Sequence, residues 1–299
     1  MNKGAELRLR LRRNSLWQPN QMAGRRWAIG CVSLEVTQRC NLDCTLCYFS
    51  EHAEAVRDLP MEEIFRRIDM IHAHYGPGTD IQISGGEPTL RRRDELAKIV
   101  LYIHALGMRS SLFTNGIRAT RELLAELASA GLTDVAFHVD TTQQRRGYAT
   151  EADLNALRDE YLGRARGLPI SVFFNTSVHD ANLHEVPMLA AYFAARAGAV
   201  RMASFQLQAH TGRGVLGARG EAVSAESVIA SIREGVGAPL SFDAFLLGHP
   251  HCNRYAAALV VGGRAHDVFF DREFAVDFMR RTALARLDRN TPLQGAIIR

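Results

Sequence analysis

The strongest constraint on the fold is a pattern that repeats six times between residues 28 and 208. Each repeat is a short apolar run followed by a segment with apolar residues at helical spacing. The runs predict strands over 29–37, 80–84, 108–114, 135–139, 170–176 and 200–207. Successive strands joined by helices lie parallel, because each crossover returns the chain to the same end of the sheet. The pattern therefore predicts an α/β fold, either an open doubly wound sheet or a curved barrel.

Polar or glycine-rich residues follow the first four predicted strands. A cysteine loop follows the first, Ser84 to Pro88 the second, Thr114 to Gly116 the third, and Asp140 to Thr142 the fourth. Functional groups collect at the carboxyl ends of the strands in both kinds of parallel sheet. We therefore expect one shared site at this end.

The cysteine loop indicates the chemistry of that site. Three of the five cysteines, Cys40, Cys44 and Cys47, are spaced C-x3-C-x2-C within eight residues. Cysteine thiolates bind iron–sulfur clusters, and three of them leave the fourth iron of a cubane open to a small molecule. Structural zinc sites need four ligands, usually in two pairs, whereas this chain has no second pair and His52 is poorly spaced. The loop favours a cluster over zinc.

The C-x3-C-x2-C loop followed by Gly-Gly-Glu-Pro resembles the radical S-adenosylmethionine (radical SAM) enzyme superfamily over residues 28–208. The resemblance implies a partial (βα)6 TIM-like barrel with a C-terminal extension. It also implies a [4Fe–4S] cluster on Cys40, Cys44 and Cys47, with SAM chelating the fourth iron. Electron transfer from the cluster then cleaves SAM to methionine and a 5′-deoxyadenosyl radical, which abstracts hydrogen from an unidentified substrate.

The resemblance also implies a SAM pocket. Ser84, Gly85, Gly86 and Glu87 would border the methionyl amine, and glycines suit a ligand that packs directly on the backbone. Leu46 stands where the family often has an aromatic residue whose backbone meets adenine. The other residues expected in the pocket are Thr114, Asn115, His138, Asp140, Asn175 and Gln206. Asp140 is a candidate for a ribose hydroxyl, although Asn and Asp equally favour caps and turns.

The pattern becomes less regular after residue 208, and we expect 209–299 to form an extension that caps the barrel. A helix capped by Ser224, strands over 240–247 and 256–261, and a helix over 274–287 are predicted there. Gly212 to Gly217 matches G-x-G-x-x-G but follows the sixth strand, so a dinucleotide fingerprint is not expected. This segment is either a loop near adenine or a plain flexible loop.

Two cysteines lie outside the cluster loop. Cys252 follows His249-Pro250-His251 and is either a buried residue or a catalytic residue that donates a hydrogen atom or contacts substrate. Cys31 lies in the first predicted strand and is expected in the core. No second cluster is expected, because Cys252 is the only cysteine after Cys47.

The first 27 residues form a basic arm with a net charge of +6, within a total of +4 for the chain. A solvated arm is expected, and stable binding of nucleic acid is not. Leu7, Leu9 and Leu11 alternate with arginines and predict a short strand. No transmembrane segment or secretory signal is visible, so the cysteine usage indicates a reducing, cytoplasmic compartment.

The family resemblance leaves the substrate open among small molecules, lipids and peptides, and implies a reducing partner such as flavodoxin or ferredoxin. Two other functions account for the cysteine loop alone. One is a non-catalytic iron–sulfur protein for electron transfer or partner binding, and the other is a zinc-stabilised nucleic-acid-binding module. Neither has a need for the Gly-Gly-Glu-Pro motif or for the polar strand ends.

Overall fold

The computed structural model describes Arg13 and residues 31–50, 52–208, 211–215, 223–244 and 253–281. Six parallel strands form one sheet in chain order, with each strand hydrogen-bonded to the next. The strands are β1 (Val32–Thr37), β2 (Asp80–Gly85), β3 (Arg109–Thr114), β4 (Leu132–His138), β5 (Ser171–Val178) and β6 (Val200–Leu207). β1 and β6 are not paired with each other in the described part of the chain. The structure thus confirms an α/β fold with a parallel sheet that stays open.

A helix follows each of the first five strands. The helices are α1 (Met61–Tyr75), α2 (Arg93–Ala105), α3 (Arg121–Ser129), α4 (Asn155–Ala165) and α5 (Val186–Ala194). The helices pack apolar side chains against the sheet: Leu96, Ile99 and Ile103 of α2 lie in the main core with Ile81 and Ile83 of β2. Burial of these side chains against one side of the sheet leaves the carboxyl ends of the strands for polar groups.

The C-terminal region adds a helix, a hairpin and a second helix: α6 (Ala225–Val236), β7 (Ala258–Val261), β8 (Arg264–Asp267) and α7 (Arg272–Arg281). Ser224 caps α6 as predicted, and its side chain accepts a hydrogen bond from the Ser227 amide. Val228 of α6 packs with Val178 and Val186. This contact seats α6 against the last strand–helix unit of the sheet.

One predicted strand is wrong over its described part. Residues 240–244 form no strand: 240 and 241 are irregular, and 242–244 are bends. Side chains satisfy the backbone there, since the Leu240 carbonyl accepts from Arg233 Nε at 2.9 Å and the Ser241 amide donates to Asp267 at 2.6 Å. Backbone groups that are already paired with side chains cannot join a strand ladder. Residues 245–247 lie outside the described part.

Cys31 is exposed and directly precedes β1, so the prediction that it lies in the core is wrong. The strand begins one residue later than that prediction requires. Cys252, the alternating leucines of the basic arm and residues 282–287 lie outside the described residues. Among the helices that are described, none has the length and apolarity needed to cross a bilayer.

Candidate functional site

A cavity of about 300 Å³ lies at the carboxyl ends of the strands and contains most of the predicted site. Its lining includes the three loop cysteines and nine of the residues expected around SAM. These are Cys40, Cys44, Cys47, Leu46, Ser84, Gly85, Gly86, Thr114, Asn115, His138, Asn175 and Gln206. Glu87 and Asp140 do not line the cavity and are fully buried. The sheet thus brings residues from all six strand ends to one place.

The Gly-Gly-Glu motif is joined directly to the backbone that leads into the cysteine loop. The Gly86 amide donates to the Thr37 carbonyl at 2.9 Å, and the Glu87 amide donates to the Arg39 carbonyl at 2.8 Å. These bonds continue the pairing of β1 with β2 beyond the strand ends. The motif therefore fixes the residues that immediately precede Cys40.

The two glycines were expected to make room for a ligand that packs on their backbone. The structure gives a different reason, because the backbone before Cys40 lies against them. A Cβ on Gly85 would lie 2.0 Å from the Thr37 carbonyl oxygen, and one on Gly86 would lie 2.3 Å from that of Arg39. Gly85 also has a φ of +137°, which side chains rarely adopt. The space beside the glycines holds the chain's own backbone rather than a ligand, although both residues still line the cavity.

Glu87 ties the second and third strand ends together from behind the cavity wall. Its carboxylate accepts from the Thr89 amide at 3.1 Å, the Thr89 hydroxyl at 2.6 Å, the Thr114 hydroxyl at 2.7 Å and the Asn115 amide at 2.7 Å. Three of these bonds end on Oε1 and one on Oε2, so protein donors hold both oxygens of the carboxylate. The side chain of Glu87 thus positions Thr114 and Asn115. Of the residues that donate to Glu87, these two line the cavity and Thr89 does not.

His138 and Asp140 form a similar arrangement at the end of β4. His138 Nε2 lies 2.6 Å from Asp140, whose carboxylate also accepts from the Thr142 amide and the Ser177 amide. Burial alone would raise the pKa of Asp140, but the imidazolium of His138 and these hydrogen bonds hold it well below its usual range. Burial would lower the pKa of His138, and the Asp140 carboxylate outweighs this and raises it. Only His138 reaches the cavity, with one-third of its side chain exposed.

The cysteine loop is held against its surroundings at several points. The Thr45 amide donates to the Thr142 carbonyl at 3.0 Å, and Asn115 Nδ2 donates to Asn41 Oδ1 at 2.7 Å. Burial, followed by the charge of Asp140 and the neighbouring thiols, raises the pKa of Cys44 to about 12. Metal binding by this thiol must therefore release its proton.

The donors fit a polynuclear cluster. Three thiols line one cavity, and thiolates are the usual protein ligands of iron–sulfur clusters, although they also bind zinc and Cu(I). Among the described residues, no three His, Cys, Asp or Glu side chains are grouped around one metal-ion position. A cluster does not require such a group, because each thiolate binds a different iron.

Several lining residues were missed by the sequence reasoning, among them Gln82, Phe113, Ser177 and Arg213. Gln82 precedes Ser84 by two residues, and Ser177 follows Asn175 by two. Side chains two apart on a strand share a face, so this periodicity was an available signal. Arg213 lies in the Gly212 to Gly217 segment, for which a loop near adenine was one of two expectations, but no pattern in the sequence marked its side chain as a lining residue.

A second cavity of about 980 Å³ lies along β6 and is bordered by α5, α6 and the β7–β8 hairpin. It has no loop cysteine in its lining. Gln206 and Leu207 line both cavities, so the larger one adjoins the cysteine site at the end of β6.

The sequence profile of the radical SAM superfamily matches residues 34–185, about half of the chain. The chain therefore belongs to the radical SAM superfamily. The matched residues run from β1 into the turn before α5 and include the cysteine loop and the Gly-Gly-Glu-Pro motif.

Curated relatives are similar over the same part. The PqqA peptide cyclase of Bradyrhizobium diazoefficiens is 31% identical over 159 residues, which cover 52% of this chain and 41% of the relative. The Fe-coproporphyrin III synthase of Methanosarcina barkeri is 31% identical over 163 residues, which cover 53% of this chain and 39% of the relative. The chain thus matches about two fifths of the length of these relatives.

One of the similar solved structures supports the same fold. HydG, a maturase of the [FeFe]-hydrogenase, aligns with a TM-score of 0.51 at 13% identity, over 68% of this chain and 49% of its own. Two further similar chains carry ligands. anSMEcpe, with bound AdoMet, has a TM-score of 0.47 at 15% identity, over 60% of this chain and 49% of its own. TsrM from Kitasatospora setae, with cobalamin and a [4Fe–4S] cluster, has a TM-score of 0.43 at 16% identity, over 60% of this chain and 37% of its own.

Proposed function

We propose that this chain is a radical SAM enzyme in which Cys40, Cys44 and Cys47 hold a [4Fe–4S] cluster and the adjoining cavity binds SAM. The observation that carries the proposal is the direct connection between the two motifs. The Gly-Gly-Glu backbone is hydrogen-bonded to the residues that lead into Cys40, and both motifs line one cavity. A protein that only carried a cluster would not need a second cavity wall built in this way.

A bound cluster would supply the electron that cleaves SAM reductively, which yields a 5′-deoxyadenosyl radical for hydrogen abstraction from the substrate. The chain's own residues bind and orient. Ser84, Gly85 and Gly86 form part of the wall of the cavity that the cysteines line, and the Ser84 hydroxyl is held 2.6 Å from that of Ser33. Glu87 and Asp140 act from behind the wall by fixing Asn115 and His138.

The larger cavity beside β6 is the proposed place for the substrate. Its lining is rich in apolar side chains, including Phe193, Met202 and Phe242. It meets the cysteine site at Gln206, so a substrate there would lie next to SAM. The extension over 209–299 is proposed to cover this side of the sheet, in agreement with the packing of Val228 against Val178. Cys252 keeps its hypothetical role as a hydrogen donor or substrate contact, and flavodoxin or ferredoxin is the proposed reductant.

The test compares the wild type with two cysteine variants after anaerobic reconstitution with iron and sulfide. Cys44→Ala removes a proposed ligand, whereas Cys31→Ala is the matched control because Cys31 is exposed and outside the loop. We expect the wild type and Cys31→Ala to bind about four irons and to form 5′-deoxyadenosine from SAM with dithionite, in line with a cubane cluster. Cys44→Ala is expected to lose both properties. A Cys44→Ala protein that keeps its cluster and cleavage activity contradicts the ligand assignment.

A further inference from the structure

The turn after β6 (Gly212–Val215) is packed against the end of the cysteine loop. The Arg213 amide donates to the Phe49 carbonyl at 2.9 Å. Gly212 has a φ of +59°, and a Cβ there would lie 2.2 Å from the carbonyl of Tyr48 and 2.7 Å from that of Cys47. Only glycine permits this approach, so the backbone fixes the position of Arg213 relative to Cys47.

The Arg213 side chain extends from this turn into the cysteine loop. Its Nη1 donates to the carboxylate of Asp43, which lies between Cys40 and Cys44. An arginine side chain stays protonated in proteins, so the guanidinium is a permanent positive charge. It contacts the loop at Asp43 and at Cys47.

The surroundings of Arg213 leave its charge poorly balanced. Its side chain is 18% exposed, whereas that of Asp43 is 90% exposed and is screened by water. Within the described residues, Arg213 Nε is buried and has no hydrogen-bond partner. Arg213 is also the one Lys or Arg among the described residues that line the cavity. A buried donor without a partner, beside three thiols, points to an acceptor held in the cavity.

We infer that Arg213 is a positioning residue that raises the reduction potential of a cluster held by the three cysteines. The inference rests on the proposed function. Reduction adds a negative charge, and a nearby fixed cation stabilises the reduced form more than the oxidised form. Net charge is one of the factors that set the potentials of iron–sulfur clusters, and Arg213 contributes a fixed positive charge beside the cysteine loop.

The test is an anaerobic redox titration of the reconstituted protein, followed by electron paramagnetic resonance and normalised to iron content. Arg213→Gln removes the charge and keeps a long polar side chain. We expect its midpoint to fall by about 59 mV or more, which is a tenfold change in the equilibrium constant of a one-electron reduction. Arg213→Lys keeps the charge, and its midpoint is expected to lie between those of Arg213→Gln and the wild type.

Arg213→His separates charge from structure within a single protein. Its imidazole loses its charge between about pH 5.5 and about pH 8. The midpoint of this variant is expected to fall more steeply over that range than that of the wild type. This comparison tests whether the charge at position 213 sets the midpoint potential, even when Arg213→Gln assembles no cluster.

Parallel pH curves for Arg213→His and the wild type overturn the inference. An Arg213→Gln midpoint equal to that of the wild type also overturns the inference. If that variant loses only its affinity for SAM, Arg213 acts on SAM and not on the potential of the cluster. These outcomes leave the proposed function intact. A wild-type protein that assembles no cluster overturns the proposed function and this inference together.

Discussion

Replacement of Glu87 by glutamine tests whether this buried carboxylate holds the site together. The carboxylate is fully buried and accepts four hydrogen bonds, three at Oε1 and one, from the Asn115 amide, at Oε2. A glutamine can keep its oxygen at the position that accepts three bonds. Its NH2 group then faces the Asn115 amide, so two donors meet and both lose a partner.

The cost follows from that geometry. A buried donor left without an acceptor costs about 1–3 kcal/mol, and the three remaining bonds lose the added strength of a charged acceptor. We expect Glu87→Gln to lower the free energy of unfolding by about 2–4 kcal/mol. Because Asn115 lines the cavity and is bonded to Asn41 of the cysteine loop, SAM binding should weaken as well.

The assay is urea unfolding of the metal-free chain, with Glu62→Gln as the matched control. Glu62 lies on the exposed face of α1, and its replacement should change the free energy of unfolding by no more than about 0.5 kcal/mol. Equal stability of the two variants would refute the reasoning, because it would mean that the four contacts of Glu87 carry no net free energy.

Two further predictions concern the glycines and the His138–Asp140 pair. Gly86→Ala should prevent cluster assembly, measured as bound iron, because its Cβ would meet the Arg39 carbonyl; Gly163→Ala, where the Cβ has open space, should bind iron as the wild type does. Asp140→Asn should lower the pKa of His138, measured by NMR of the ring carbons. The lowered pKa of Asp140 stabilises the fold fully above the unfolded pKa of Asp, and the raised pKa of His138 does so fully below the unfolded pKa of His. The free energy of unfolding lost in Asp140→Asn should therefore be largest between about pH 4 and about pH 6.5, and it should shrink at lower and at higher pH. A stability difference that does not vary with pH would contradict this.

The order of the strands could be predicted because it depends on local pattern and on one rule of connection. Apolar runs of five to nine residues alternate with helical segments, and parallel crossovers then place the strand ends together. The predicted sixth strand over 200–207 matches β6 (Val200–Leu207). The lining of the cavity by the three cysteines follows from the same rule, because the loop after the first strand must open at that edge.

The roles of individual residues depend on contacts that the pattern does not contain. Glu87 and Asp140 are polar residues at strand ends, which is typical of ligand contacts, yet both point inward to protein donors. Arg213 lies 170 residues from Asp43 in sequence, and only the fold brings them together. Glu151 and Arg158 are another example, since this fully buried ion pair supports the turn after β4 through a bond from the Thr141 amide to Glu151. The pairing of Arg213 with Asp43 in particular joins distant parts of the chain and leaves no periodicity in the sequence.

The most direct test of the central claim is whether SAM changes the spectrum of the reduced cluster. Three cysteine ligands leave one iron of a [4Fe–4S] cluster open, so SAM should bind at the metal itself. We expect the paramagnetic resonance spectrum of the reduced, reconstituted wild-type protein to change as SAM is added and to saturate at about one SAM per cluster. A spectrum that stays the same at saturating SAM would contradict the assignment of an open iron in the cavity lined by Ser84, Gly85 and Gly86.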